Sequence, residues 1–333
     1  MLRSKRALSA LAVVSVVTLG GTACSSQGGR QAEAPAPQAA AAGNAANTPR
    51  KTVAMITHEA PGDTFWDKIR NGAQAAAAKD NIQLDYAADP EAARQATLIQ
   101  NAVDRNVDGI AVTMSKPDPL APAIKAAIDK GIPVVGFNSG INEWKRLGAD
   151  MYFGSDEALA GETAGKRIAD SGGQKVLCVI QEQGSVALEA RCDGVKKGLS
   201  NTEILNVTGT DLPSVQSTIQ AKLSQDKAVT HIVTLGAPYA LVALQSREAA
   251  GSQAKVVTFD LNADAAKAIQ DGRIDFSIDQ QPYVQGHEAV DALWLNLTNG
   301  NDIGGGLPVL TGPSFVDKSN IEQIVQYASK NTR

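Results

Sequence analysis

Short apolar runs rich in β-branched residues alternate along the chain with longer stretches whose apolar positions return every three or four residues. The runs TVAMIT (52–57), IQLDYA (82–87), GIAVT (109–113), VVGF (134–137), KVLCVI (175–180), EILNV (203–207), HIVTL (231–235) and KVVTF (255–259) read as strands. Most are apolar throughout, which suits strands of a parallel sheet covered on both faces. Between them the spacing predicts helices from the Phe65–Trp66 pair to about Asp80, then over 91–106, 120–130, 158–171, 186–199, 214–225, 238–250, 263–271 and 284–299, with a last one from Ile321. MYFGSDE (151–157) reads as a crossover, and DFSIDQQPY (275–283) as a strand that ends at Pro282.

The pattern also repeats on a larger scale. VVTFDLN (256–262) echoes VVGFNS (134–139) half a chain earlier, each an apolar run that stops at a polar residue, Asp260 or Asn138. Each is preceded by a strand and a helix of similar length. This predicts an α/β fold of two doubly wound parallel-sheet lobes, with polar strand ends facing each other across one cleft. The first lobe is expected to comprise 51–153 plus 282–310, and the second 154–281 plus 311–333.

Residues before the first strand follow another pattern. Arg3, Lys5 and Arg6 precede an apolar run from Ala7 to Leu19 and small residues up to Cys24, the layout of a signal peptide over 1–23. LGGTAC is similar to a lipobox, with Gly21 where leucine is usual, so Cys24 is expected to carry a lipid anchor at the outer face of the cell membrane. Residues 24–50 are rich in Ala, Pro, Gln and Gly without an apolar face and read as a flexible tether. The formal charge of −4 becomes more negative without the leader's cations, which argues against nucleic acid as a partner. Export leaves Cys178 and Cys192 as either a disulfide between a strand and the following helix or two buried thiols. Three scattered histidines give no metal site, and no cofactor is expected. GETAGKR (161–167) lacks the spacing of a phosphate loop and lies on a helix face, and no nucleophile elbow occurs.

From Thr52 to about Pro313 the sequence resembles the periplasmic sugar-binding proteins of the ribose and galactose type, the substrate-binding components of ABC importers. Phe65–Trp66 after the first strand, IPVVGFN, ARCDG, VVTFDLN and SIDQQPY carry the resemblance. It implies two type I lobes joined by a three-crossover hinge that close around one sugar or polyol. It places Asp63, Phe65 and Trp66 at the edge of the first lobe, Asn138 where the family usually has aspartate, and Ser139 where the ribose protein has arginine. Glu189 or Arg191, Asp260 and Gln280 come from the second lobe. Gly236, Ala237 and Pro238 replace an Asn-Asp pair common in the family, which speaks against ribose itself.

The chemistry fits these roles. Aromatic faces cover the C–H faces of a sugar ring, an ionised carboxylate accepts from hydroxyls, and an amide both donates and accepts. Each residue also has a structural role open to it: one aromatic of the pair as core, Asp260 as the cap of the helix from Ala263, and Arg191 in a bridge to Asp193 or Glu189. Trp144 is a further stacking candidate. The function expected is a monomeric, non-enzymatic solute-binding lipoprotein that delivers a neutral sugar, polyol or cyclitol to ABC permease subunits. A sensor presenting ligand to a membrane receptor is the alternative.

Overall fold

The computed structural model describes residues 45–333; the leader, Cys24 and the tether as far as residue 44 lie outside the described residues. In chain order come β1 (Lys51–Thr57), α1 (Phe65–Lys79), β2 (Ile82–Ala88), α2 (Ala92–Asp104), β3 (Gly109–Val112), α3 (Pro117–Asp129), β4 (Val134–Asn138), the single-turn α4 (Trp144–Leu147) and β5 (Met151–Ser155). Then follow α5 (Glu157–Asp170), β6 (Val176–Ile180), α6 (Val186–Gly198), β7 (Thr202–Asn206), α7 (Leu212–Gln225), β8 (His231–Thr234), α8 (Ala237–Ala249), β9 (Lys255–Phe259), α9 (Ala263–Gln270) and β10 (Ile274–Asp279). The last are α10 (Pro282–Asn299), β11 (Val309–Gly312), β12 (Ser314–Asp317) and α11 (Ile321–Ala328).

The strands form two six-stranded sheets of matching topology, β2-β1-β3-β4-β5-β11 and β7-β6-β8-β9-β10-β12. All neighbours are parallel except β10 and β12. The chain passes between sheets after Ser155, after Asp279 and after Gly312. MYFGS is therefore a strand of the first sheet rather than a crossover, because Tyr152 and Phe153 are both buried and pair with β4. Pro282 opens α10 instead of ending a strand; its missing N–H costs nothing in a helix's first turn. The short edge strands β11 and β12 carry too few alternating apolar residues to stand out in sequence.

Alternate residues of each strand feed opposite faces of a sheet, which explains the continuous apolar runs. In the first lobe Ile56, Ile110 and Val134 pack against α2 and α3, while Met55, Ala111 and Val135 pack against α1 and α10. The second lobe repeats this, with Cys178, Val233 and Val257 toward α5 and α6 and Leu177, Ile232 and Val256 toward α7 to α9.

Each lobe also holds one helix pair at backbone contact. A Cβ built on Gly161 of α5 would meet the Arg191 carbonyl oxygen at 2.0 Å, and one on Gly72 of α1 would meet that of Tyr283 at 2.0 Å. Both glycines of GETAGKR, Gly161 and Gly165, thus serve helix packing, and the two pairs fix the helices that carry the cleft residues.

Cys178 on β6 and Cys192 on α6 are bonded, with Cα atoms 5.8 Å apart and both side chains fully buried. Their sequence separation of 14 closes a short loop, so reduction is expected to cost up to about 3 kcal/mol of stability. Denaturant titration with and without reductant, with mass spectrometry of the unreduced protein, measures this; two alkylatable thiols in the native protein would refute the bond.

Candidate functional site

The two echoing strands deliver the polar residues that their sequences announce. Asn138 ends β4 with φ of 65° and Asp260 follows β9 with φ of 63°. Few side chains tolerate this left-handed backbone, and Asn and Asp are among those that do. At both positions the turn directs a polar side chain off the end of its sheet.

Between them lies Gln280, in the second passage between lobes. Asn138 Nδ2 donates to Gln280 Oε1 at 3.1 Å, and Gln280 Nε2 donates to the Asp260 carboxylate at 2.9 and 3.2 Å. Gln285 of α10 accepts from Asn138 Nδ2 at 3.1 Å and donates to the Gln280 backbone and side chain, holding the row in place. The row is almost fully buried and runs from one lobe to the other through the hinge. Asp260 does not cap α9, since Asn262 does so by accepting from the Ala265 N–H at 2.8 Å. Its carboxylate is left to face the cleft.

Arg191 stands beside Asp260 with Nη1 at 3.9 Å from Oδ2. Its closer partner is Glu157, met bidentately at 2.5 and 3.0 Å, rather than Asp193 or Glu189. The guanidinium also lies 4.6 Å from the centre of the Phe259 ring and donates to the Leu235 carbonyl. Burial pushes the Asp260 carboxyl up to about 7, opposed by the Arg191 charge and the Gln280 hydrogen bond and reinforced by Asp279 and Glu157. Burial also raises Glu157, with Arg191 pulling the other way.

Asn138, Arg191, Asp260 and Gln280 line a cavity of about 530 Å³ between the lobes, within the range of small-ligand pockets. Its first-lobe wall holds Asp63, Phe65 and Trp66; Asp63 Oδ1 accepts from the Phe65 N–H at 3.0 Å, and burial raises its carboxyl. Phe65 is half-buried while Trp66 is 3% exposed, edge-on to both Phe65 and His58, so Trp66 has core and cleft roles together. Lobe meets lobe at the rim: Val186 N–H donates to Ser115 O at 3.0 Å, and Lys116 Nζ lies 3.2 Å from Glu182.

Two candidates fall elsewhere. Glu189 is exposed on α6 and accepts from the Gly184 N–H at 3.1 Å, on the side of the helix opposite the face that carries Arg191. Trp144 is buried in the first-lobe core, stacked on Tyr152, because α4 turns its ring away from the cleft. Conversely, Lys68, His58 and Glu157 were not legible as site residues. Glu157 was hidden in the supposed crossover; Lys68 left a signal, a charge inside the apolar stripe Phe65, Lys68, Ile69, Gly72, Ala73. Among the described residues no cluster of three metal-ligating side chains occurs, and no helix is long and apolar enough to cross a membrane.

A carbohydrate transporter from Acidothermus cellulolyticus 11B, solved in complex with myo-inositol, is 55% identical and aligns over 86% of this chain and 100% of that one with a TM-score of 0.85. The xylose/arabinose-binding protein of Sulfolobus acidocaldarius is 26% identical over 242 residues, 67% of this chain and 60% of that protein. A ribose import binding protein of Bacillus subtilis is 23% identical over 294 residues, 86% of this chain and 92% of that protein. Residues 53–302 match the periplasmic binding protein domain. Because that match runs from β1 to beyond α10, through most of both sheets and two of the three passages between them, the chain belongs to the periplasmic binding protein domain family.

Proposed function

We propose that the protein captures a neutral cyclitol, myo-inositol foremost, between its lobes and delivers it to an ABC import permease, held to the outer face of the membrane through a lipid on Cys24. The buried row Asn138, Gln280 and Asp260 carries this reading. It sets a carboxylate and amide groups along the base of the cleft, where hydroxyls of a ring can donate and accept. Phe65 and Trp66 offer apolar faces for ring C–H groups. The charges favour a neutral guest: Glu157 takes up the Arg191 cation, and the Asp63 and Asp260 carboxylates share the cleft with Lys68. The 55% identity with the inositol complex directs the choice among polyols, and Gly236, Ala237 and Pro238, where the family often has an Asn-Asp pair, speak against ribose.

Calorimetry against myo-inositol, its epimers, D-ribose, D-xylose, D-arabinose and D-galactose tests the reading. Myo-inositol is expected to bind tightest, adding about 2.7 kcal/mol to stability at 100 times its dissociation constant. Binding of pentoses alone would overturn the cyclitol assignment. The radius of gyration in small-angle scattering is expected to fall on saturation, as ligand favours the state in which Ser115 meets Val186. An unchanged value across the titration would refute hinge closure.

A further inference from the structure

Lys68 is the unusual group of the cleft. It projects from α1 of the first lobe and is 1% exposed, yet it lines the cavity together with Asp260 of the second lobe. The described carboxylates around it are Asp260, Asp279, Asp63 and Asp67, and each has another partner. Asp260 accepts from Gln280, Asp279 from Arg333 at 2.6 Å, Asp63 from the Phe65 N–H, and Asp67 pairs with Arg70. They attract the ammonium without hydrogen-bonding it, while burial pushes it below the usual lysine range. A lysine this enclosed, with its ammonium reached from the cleft, is a costly arrangement unless something in the cleft accepts from it. A hydrophobic residue would fill this place in the stripe of α1 better if packing were the only demand.

Resting on the polyol reading, we propose that Lys68 is the residue that determines specificity in this cleft: its ammonium donates to one ring hydroxyl, and that hydroxyl donates to Asp260. A hydroxyl can do both at once, having one proton to give and lone pairs to accept with, whereas Lys68 only donates and an ionised carboxylate only accepts. One position of the ring thereby joins the first lobe to the second. Cyclic polyols with a hydroxyl there are selected. Those with hydrogen in its place offer Lys68 no acceptor, and an ether oxygen there accepts from Lys68 but has no proton for Asp260, so discrimination is strong when a site built for a hydroxyl is denied one.

The test is a set of mono-deoxy inositols titrated against the wild type and Lys68→Met. In the wild type one deoxy position is expected to lower affinity by roughly tenfold or more, the usual scale for a hydrogen bond to a charged group. Lys68→Met is expected to lose a similar factor for myo-inositol and to show little further loss at that same position, with the penalties at other positions kept. Its unliganded melting temperature should match or exceed that of the wild type, because a buried charge has gone. Lys68→Gln, which retains a donor without charge, should keep the positional preference at reduced affinity, and it serves if the methionine variant does not fold. Unchanged affinity in either variant, or the same deoxy profile in wild type and Lys68→Met, would overturn the assignment. If the wild type binds no inositol, the ligand reading fails and this inference with it; if the wild type binds and the variants behave alike, only this inference fails.

Discussion

Asp260→Asn is expected to lower the affinity for myo-inositol at least about tenfold and to remove most of its pH dependence, because the charged acceptor of the cleft is replaced by a neutral amide. The physical basis is the carboxyl's position, fully enclosed and held near 7 mainly by burial. Ligand hydroxyls that donate to the ionised form lower this value again. Wild-type affinity should therefore rise as pH climbs through about 7 and level off above it.

Stability without ligand moves the other way. The carboxyl is raised from 3.8 to about 7 on folding, so between those values the folded protein holds more proton than the unfolded chain. Stability falls as pH rises across that window, by an amount on the order of 4 kcal/mol, and is flat above it. Asp260→Asn lacks this dependence. The difference in unfolding free energy between wild type and variant should thus decline from pH 4 to 7, and calorimetry beside denaturant titrations at several pH values reads both effects. A constant difference across the window, or unaltered affinity, would show that Asp260 neither titrates nor binds as described.

Arg191→Met should produce the largest loss of stability, about 3–5 kcal/mol, because it leaves the buried Glu157 carboxylate without its bidentate partner. The cost should grow with pH, since Glu157, already raised by burial, escapes part of it by taking a proton. Adding Glu157→Gln should recover most of the stability, because the pair is replaced by neutral groups of similar size. Denaturant unfolding of the two single variants and the double variant forms a cycle that isolates the coupling. Additive losses would mean that the pair is not the reason for the cost.

Both expectations concern residues whose legibility in the sequence was uneven. The fold could be read because strands covered on two faces are mostly apolar, and Val53 to Ile56 shows this throughout while Val256 to Phe259 departs from it only at Thr258. The ends of such strands in a parallel sheet are where ligands bind, so Asn138 and Asp260 could be read for the same reason. Glu189 and Arg191 lie two residues apart on α6, and periodicity alone could not decide which of them faces inward. Glu157 opens α5 just after β5, whose glycine and serine resemble those of a turn, so its place beside Arg191 does not show in the sequence. Trp144 shows a different limit: a large aromatic after a site residue is as well suited to the core as to stacking, and only the geometry of α4 separates the two.

The row through Gln280 has a mechanical consequence. When one body rotates about an axis, each atom moves in proportion to its distance from that axis, so groups beside the hinge barely shift while those at the far rim sweep a wide arc. Asn138, Gln280 and Asp260 bond across the second passage between lobes and are expected to stay in register if the lobes part, whereas Ser115 and Val186 at the rim are expected to separate first. An arriving ring thus meets a landing platform that is already assembled. Affinity for the open form is set by the base of the cleft, whereas the lifetime of the bound state is set by the rim. Substitutions near the pivot should accordingly alter capture, and those at Ser115, Lys116 or Glu182 should alter escape.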